Sequence, residues 1–201
     1  MANDAGARRV SRRRFFAIGA AGSAALVTAP AWARDPAEWN QYDFNWRRAK
    51  LAVGRSLSFR HTHTDESLHV TYYENGRYLP QAVGEINHLF RDFRSEEVKE
   101  IDPQLLDTLY AIRLRTETSE PFDILSAYRS PETNALLRRS GWGVARNSLH
   151  MQGMAIDIRL PDRDARYIAR AARDMERGGV GYYPRANFVH VDSGSVRTWM
   201  G

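Results

Sequence analysis

The sequence predicts an α+β domain, a small antiparallel sheet flanked by helices. Three observations carry this. Several short runs alternate apolar and polar residues with the period of a strand; other runs repeat apolar residues at three- and four-residue spacing, the period of a helix. Asn75-Gly76 follows the second such strand run within Glu74-Asn75-Gly76-Arg77, a dipeptide that favours tight turns of the antiparallel hairpin kind. The two kinds of run are mixed along one chain of 201 residues, long enough to bury a core without staples.

The elements follow in order. Residues 1–33 carry Ser11-Arg12-Arg13-Arg14-Phe15-Phe16, a mild apolar run over 17–30, and the small-x-small triplet Ala31-Trp32-Ala33. This is the charged, apolar and cleavage-site layout of a secretory signal, with cleavage expected after Ala33. The paired arginines before Phe15-Phe16 resemble a twin-arginine signal, so a periplasmic location is expected. The apolar run is too short for a comfortable transmembrane helix, and no stable membrane span is expected after processing. Residues 34–50 are polar with scattered aromatics and read as a linker; 51–201 form the globular domain.

Within that domain, residues 57–62 and 68–73 read as strands. Val83, Ile86, Leu89 and Phe90 recur at helical spacing. Asp102-Pro103 opens a second helix that carries Leu105, Leu106, Leu109, Tyr110 and Ile112. Residues 121–126 read as a short strand and 131–139 as a helix ending before Gly141. Residues 154–160 alternate as a strand. Pro161-Asp162 starts a helix that runs to Arg177 and stops at Gly178-Gly179. Residues 188–192 form the final short strand.

Hydrophobic residues make up 43% and charged residues 26%, an ordinary globular balance. The absence of cysteine excludes disulfides, thiolate metal sites, cysteine nucleophiles and iron–sulfur clusters. Any metal must be held by His, Asp or Glu. The formal charge of +5 suits an anionic partner, although part of it lies in the N-terminal arginines. No nucleic-acid-binding motif is present, and nucleic acid is not expected as a partner.

The chemistry concentrates in Ser148-Leu149-His150-Met151-Gln152-Gly153-Met154-Ala155-Ile156-Asp157. On the strand at its end, Met154, Ile156, Ile158 and Leu160 share one face, and Asp157 points from the other. Gly153 lets the backbone turn and return His150 over Asp157. The last strand repeats the arrangement, with Val189 and Val191 on one face and Phe188, His190 and Asp192 on the other. If the two strands are neighbours, His150, Asp157 and His190 converge as two imidazoles and one carboxylate. That is the composition of an open catalytic zinc site. By spacing alone, a surface or core role for each residue competes evenly with ligation.

Ser-x-His-x-x-Gly-x-Ala-x-Asp followed by Val189-His190-Val191-Asp192 resembles the zinc peptidases of the peptidase M15 group, and within it the DUF882 family. Further blocks agree in order: residues 56–59 with 62–64, 72–78, 101–107, 126–134 and 179–184. The resemblance covers the chain from about Leu51 to its end. It implies the M15, hedgehog-like zinc peptidase fold and zinc as cofactor, with His150, Asp157 and His190 as ligands. It implies a murein endopeptidase that hydrolyses the peptide cross-links of peptidoglycan, whose partner is the peptide stem. A D-Ala carboxypeptidase and a catalytically inactive wall-binding module are the alternatives.

The resemblance also implies that Arg129 holds a substrate carboxylate or carbonyl, against a purely structural ion-pair role. Ser148 either contacts substrate or fixes its loop. Many relatives place a His two residues before the last ligand, or an acidic residue a few positions earlier. Here those places hold Phe188 and Asn187. Asp192, the nearest carboxylate in sequence, serves either as the general base or as the group that orients a histidine. His61 and His63 alternate on a strand and read as ordinary histidines before a second metal site, and the aromatics at 182–183 either wall a groove or pack.

Overall fold

The structure, a computed structural model, describes residues 54–141 and 143–201; the signal segment 1–33 and the linker 34–50 lie outside the described residues. Along the chain run β1 (Gly54–His61), β2 (Ser67–Glu74), β3 (Arg77–Tyr78), α1 (Pro80–Leu89), α2 (Pro103–Thr116), β4 (Phe122–Ser126) and α3 (Pro131–Arg139). A single 3-10 turn (Leu149–Gln152), β5 (Ala155–Arg159), α4 (Ala165–Arg173), β6 (Gly179–Tyr183), β7 (Phe188–Asp192) and β8 (Arg197–Met200) complete it.

The α+β class is present, but the sheet is not small and not wholly antiparallel. It has eight strands in the order β3-β2-β1-β4-β5-β7-β6-β8. Two pairs are parallel, β1 with β4 and β6 with β8. The first arises because α1 and α2 lie between β2–β3 and β4 in the chain, a crossover long enough to bring the chain back in the same direction. The second arises because β8 passes β7 and adds to the far edge of β6. Neither β6 nor β8 was expected as a strand.

Local chemistry explains most element boundaries. Asn75 and Gly76 take positive φ, 50° and 82°, and close the two-residue loop between β2 and β3. Asp102 caps α2 by accepting from the Gln104 N–H at 2.9 Å, with Pro103 in the first turn. The helix expected from Pro161 begins later, at Ala165, where Asp164 accepts from the Arg166 N–H at 2.7 Å.

One face of the sheet forms the core. Leu57 and Phe59 of β1, Ile156 and Ile158 of β5, and Val189 and Val191 of β7 are essentially fully buried there. Leu105, Leu109 and Ile112 of α2 and Ile168 of α4 pack in the same cluster. Each of these side chains contributes about 1.5–3 kcal/mol of burial. The opposite face of the central strands carries the polar residues, and there the candidate site lies.

Candidate active site

Strand pairing arranges that outer face in rows. Asp157 lies opposite His190, His190 opposite Gly181, and Gly181 opposite Trp199, so one row crosses β5, β7, β6 and β8. The apolar neighbours of Asp157 and His190 on their own strands anchor the row from behind.

His150 reaches the row from the 3-10 turn. The Ser148 side chain caps that turn, accepting from the His150 N–H at 3.4 Å. Gly153 ends it at φ 69°, where an added Cβ would collide with the Glu100 carbonyl, so glycine is required on both counts. The loop after β4 is zipped to the same turn. His150 Nδ1 donates to the Ala127 carbonyl at 2.6 Å, and the Arg129 N–H donates to the His150 carbonyl at 3.2 Å.

Three ligand atoms converge. His190 Nδ1 is 2.9 Å from Asp157 Oδ1 and 3.2 Å from His150 Nε2, and His150 Nε2 is 3.4 Å from Asp157 Oδ1. Zinc bonds of 2.0–2.1 Å in a tetrahedron demand ligand separations of roughly 3.3–3.4 Å. The edges of 3.4 and 3.2 Å lie at or close to that separation, and the 2.9 Å edge between His190 and Asp157 is a hydrogen-bond distance that an ion would widen by a few tenths of an ångström. Among the described residues this is the one group of three or more His, Asp or Glu side chains so clustered.

The acceptors behind the two rings suit one pair of tautomers. His150 Nδ1–H meets the Ala127 carbonyl and His190 Nε2 meets Asp192 Oδ2 at 3.0 Å, so the other ring nitrogens face the cluster, where a bound cation would replace the proton on His190 Nδ1. Burial pushes the His150 imidazole down. Burial also works against ionising Asp157, yet the two imidazoles outweigh it and hold its carboxyl well below the usual range. His190, against its own burial, is raised to about 9 by Asp157 and Asp192. The two carboxylates thus favour positive charge at the cluster.

Asp192 stands behind His190, away from the tripod. Its side chain is fully buried and accepts from the Gly179 and Gly194 N–H groups at 3.0 and 2.9 Å and from Arg197 Nη2 at 2.7 Å, besides His190. These bonds outweigh burial and keep it ionised.

Arg129 lies at the other side, its Nη2 4.0 Å from Asp157 Oδ2 and 3.1 Å from Ser126 Oγ. It is 8% exposed, and its Nε is buried without a hydrogen-bond partner among the described residues. Phe188 stacks on Tyr183 with ring centroids 4.3 Å apart, and Asn187 occupies a turn where its Oδ1 accepts from the Ala165 N–H. His61 is buried against Phe93, and His63 stacks on the same ring.

Two features were absent from the sequence reading. The Trp199 ring lies 5.2 Å from the His190 ring and donates from Nε1 to the Tyr183 hydroxyl at 3.0 Å, walling the row. Gly181 makes room for it, since a Cβ there would sit 2.5 Å from the indole. The Arg197–Asp192 clamp comes from the same unforeseen strand. Its only sequence signal was the alternation of Arg197, Trp199 and Gly201, too brief to separate from a frayed terminus.

A mixed sheet carries on its polar face a His–Asp–His cluster with the composition of a metal-binding group, and comparison with known proteins gives the class, a peptidase. The chain belongs to the peptidase M15 family whose model is described as Peptidoglycan L,D-endopeptidase MepK, which matches residues 49–199. It is 36% identical over 190 residues to the Peptidoglycan L,D-endopeptidase MepK of Escherichia coli K12, covering 94% of this chain and 97% of that one. It is 39% identical over 149 residues to the probable Peptidoglycan L,D-endopeptidase MepK of Haemophilus influenzae, covering 73% and 80%. A solved structure of the Serratia marcescens L-Ala D-Glu endopeptidase ChiX aligns at a TM-score of 0.33 and 22% identity, over 48% of this chain and 69% of that one. Among the described residues no helix is long and apolar enough to cross a membrane.

Proposed function

We propose that this chain is a zinc-dependent peptidoglycan endopeptidase that acts outside the cytoplasm and hydrolyses amide cross-links between stem peptides. The observation that carries the reading is the convergence of His150 Nε2, His190 Nδ1 and Asp157 Oδ1 within 2.9, 3.2 and 3.4 Å of one another, two imidazoles and a carboxylate close enough to share one ion. The relatives are named L,D-endopeptidases, which favours a bond between the carbonyl of an L centre and the amine of a D centre. The resemblance of Ser11-Arg12-Arg13-Arg14-Phe15-Phe16 to a twin-arginine signal is the sequence feature behind the periplasmic reading.

His150, Asp157 and His190 hold the ion. When bound, zinc supplies a Lewis acid that polarises an amide carbonyl and lowers the pKa of water. The Ala127 carbonyl and Asp192 fix the tautomers of the two imidazoles. Asp192 is assigned this orienting role, because its lone pairs are already engaged and it lies behind His190. Arg129 steadies negative charge that develops on the substrate oxygen, from a buried position where a charge-assisted bond is strong. Ser148 holds the turn that carries His150. Trp199 and Tyr183 exclude water from one side of the row.

The test is digestion of purified muropeptide dimers by the protein with zinc added or chelated, with His150→Ala as control. Zinc-dependent conversion of dimers to monomers, lost in the variant, is the expected result. Release of terminal D-Ala with dimers intact would move the assignment to a carboxypeptidase. A folded, zinc-containing protein that cleaves neither would leave a wall-binding module.

A further inference from the structure

One row from the tripod, on the same face, lies a charged cluster that the tripod does not use. Asp123 of β4 pairs with Arg60 of β1 on one side and Arg159 of β5 on the other. Its carboxylate is 3% exposed. Oδ1 accepts from Arg60 Nε at 2.8 Å and Nη2 at 2.7 Å, and Oδ2 accepts from Arg159 Nε at 3.0 Å. Both oxygens are occupied. The two guanidiniums, by contrast, are 49% and 39% exposed. Among the described residues, Arg60 Nη1 and both Nη atoms of Arg159 have no hydrogen-bond partner.

A buried carboxylate needs one cation to neutralise it. Here two are supplied, and the cluster carries one net positive charge on the face that holds the site. Asp123 takes each arginine by its Nε edge, which turns free Nη donors outward. Arg159 follows Asp157 by two residues on the same strand face, so the two Cα atoms are about 7 Å apart. Beyond the Ile158–Val189 pair, β7 and β6 carry Phe188 opposite Tyr183, their rings stacked with centroids 4.3 Å apart.

We propose that Arg60 and Arg159, held by Asp123, form a docking subsite for a free carboxylate of the substrate, one row from the bond that is cut. Arg159 makes the principal contact because it is nearer the tripod and has two free Nη atoms. The ligand is a peptide carboxylate, which peptidoglycan stems carry and which a guanidinium fork binds with paired donors. The proposal rests on the endopeptidase reading above and names the part of the substrate that the site selects.

The test compares a cross-linked muropeptide dimer in free-acid form with the same dimer bearing amidated carboxylates. The full-length zinc-loaded protein is assayed beside Arg159→Gln and Arg159→Lys. In the unaltered protein, amidation should raise KM about tenfold with little change in kcat, the scale of one partly exposed charge-assisted contact. Arg159→Gln should raise KM about tenfold for the free-acid dimer alone, and lysine should recover part of that loss. Calorimetric binding of an uncross-linked stem tetrapeptide should show the same preference without turnover. Equal KM for the two dimers, or an Arg159→Gln loss equal for both, would overturn the subsite and leave the endopeptidase standing. Cleavage of neither dimer would overturn the endopeptidase reading, and the subsite with it.

Discussion

Asp192→Asn separates two roles that one carboxylate beside a metal site can take. Asparagine keeps the volume and one acceptor oxygen, so the Gly179 and Gly194 N–H bonds at 3.0 and 2.9 Å on Oδ1 survive. Its amide donor then replaces Oδ2, which accepts from His190 Nε2 at 3.0 Å and Arg197 Nη2 at 2.7 Å. Two donors would face each other at His190, and the ring relieves this by moving its proton to Nδ1. That is the atom 2.9 Å from Asp157 Oδ1 at the centre of the tripod, so the ligand lone pair is lost. Loss of such an orienting partner weakens metal binding by about 10–100-fold, or roughly 1.4–2.8 kcal/mol. Arg197, 44% exposed, is left in water at little cost. Competition with a chromophoric chelator measures zinc affinity, and muropeptide turnover at saturating zinc measures catalysis. The expected result is weakened zinc binding, with much of the turnover restored by excess zinc. Unchanged zinc affinity with turnover lost beyond recovery would refute the reasoning and make Asp192 the base.

Further outcomes follow from other parts of the structure. Arg129→Ala should lower kcat by about 10²–10³-fold while zinc content stays intact, and Arg129→Lys should rescue poorly because a fork is replaced by a point charge; turnover and bound zinc are measured together. Gly181→Ala places a methyl against the Trp199 indole and should cost about 1–3 kcal/mol, read as a lower Tm and a shift in tryptophan emission. Ile158→Ala removes a fully buried side chain behind the site and should cost about 2–5 kcal/mol by denaturant titration. Asp92 is buried, which opposes its ionisation, but bonds from Thr133, Ser130 and the Arg94 N–H hold its carboxyl below the usual range. The unfolded chain therefore binds more protons in the acid region. This contribution is complete above the unfolded value of roughly 3.9 and is lost as pH falls through the lowered folded value. Asp92→Asn should reduce Tm at neutral pH and lessen its fall as pH drops below about 4.

The parts of the fold that were legible share a physical property, which is that their signal is local. In β5 and β7 the alternation of apolar and polar residues placed Asp157 and His190 opposite the core, and register then set them side by side. Gly153 was legible as a place where the backbone could turn and return His150 over its strand, and the turn it makes is left-handed, at φ 69°. The order of the strands was not legible, because pairing joins residues far apart in sequence and no local pattern records which partner is chosen. β8 has four residues, of which Arg197, Thr198 and Met200 are exposed, so the period-two signal has no apolar face to reveal it. β6 reads Gly179-Val180-Gly181-Tyr182-Tyr183, and glycine lowers strand propensity. Yet both glycines make room: the buried Asp192 carboxylate and the Arg197 guanidinium lie where a Cβ at Gly179 would be, and the Trp199 indole where one at Gly181 would be. The two weak signals have one cause, since the residue that blurs β6 admits the side chains of β8.

That coupling bears on the site. His190 is held from three directions: Asp157 beside it on β5, Asp192 behind it, and Trp199 over it from β8. Two of the three depend on the terminal strand, because Arg197 on β8 also locks Asp192. Removal of residues 197–201 should therefore weaken zinc binding while leaving the core intact, because the buried apolar face of the sheet draws nothing from β8. A truncated chain that keeps its far-ultraviolet circular dichroism and loses zinc affinity by about tenfold or more is the expected result. A chain that keeps full zinc affinity would show that Asp157 and the backbone turn alone suffice to orient the histidines, and that the strand serves the substrate groove only.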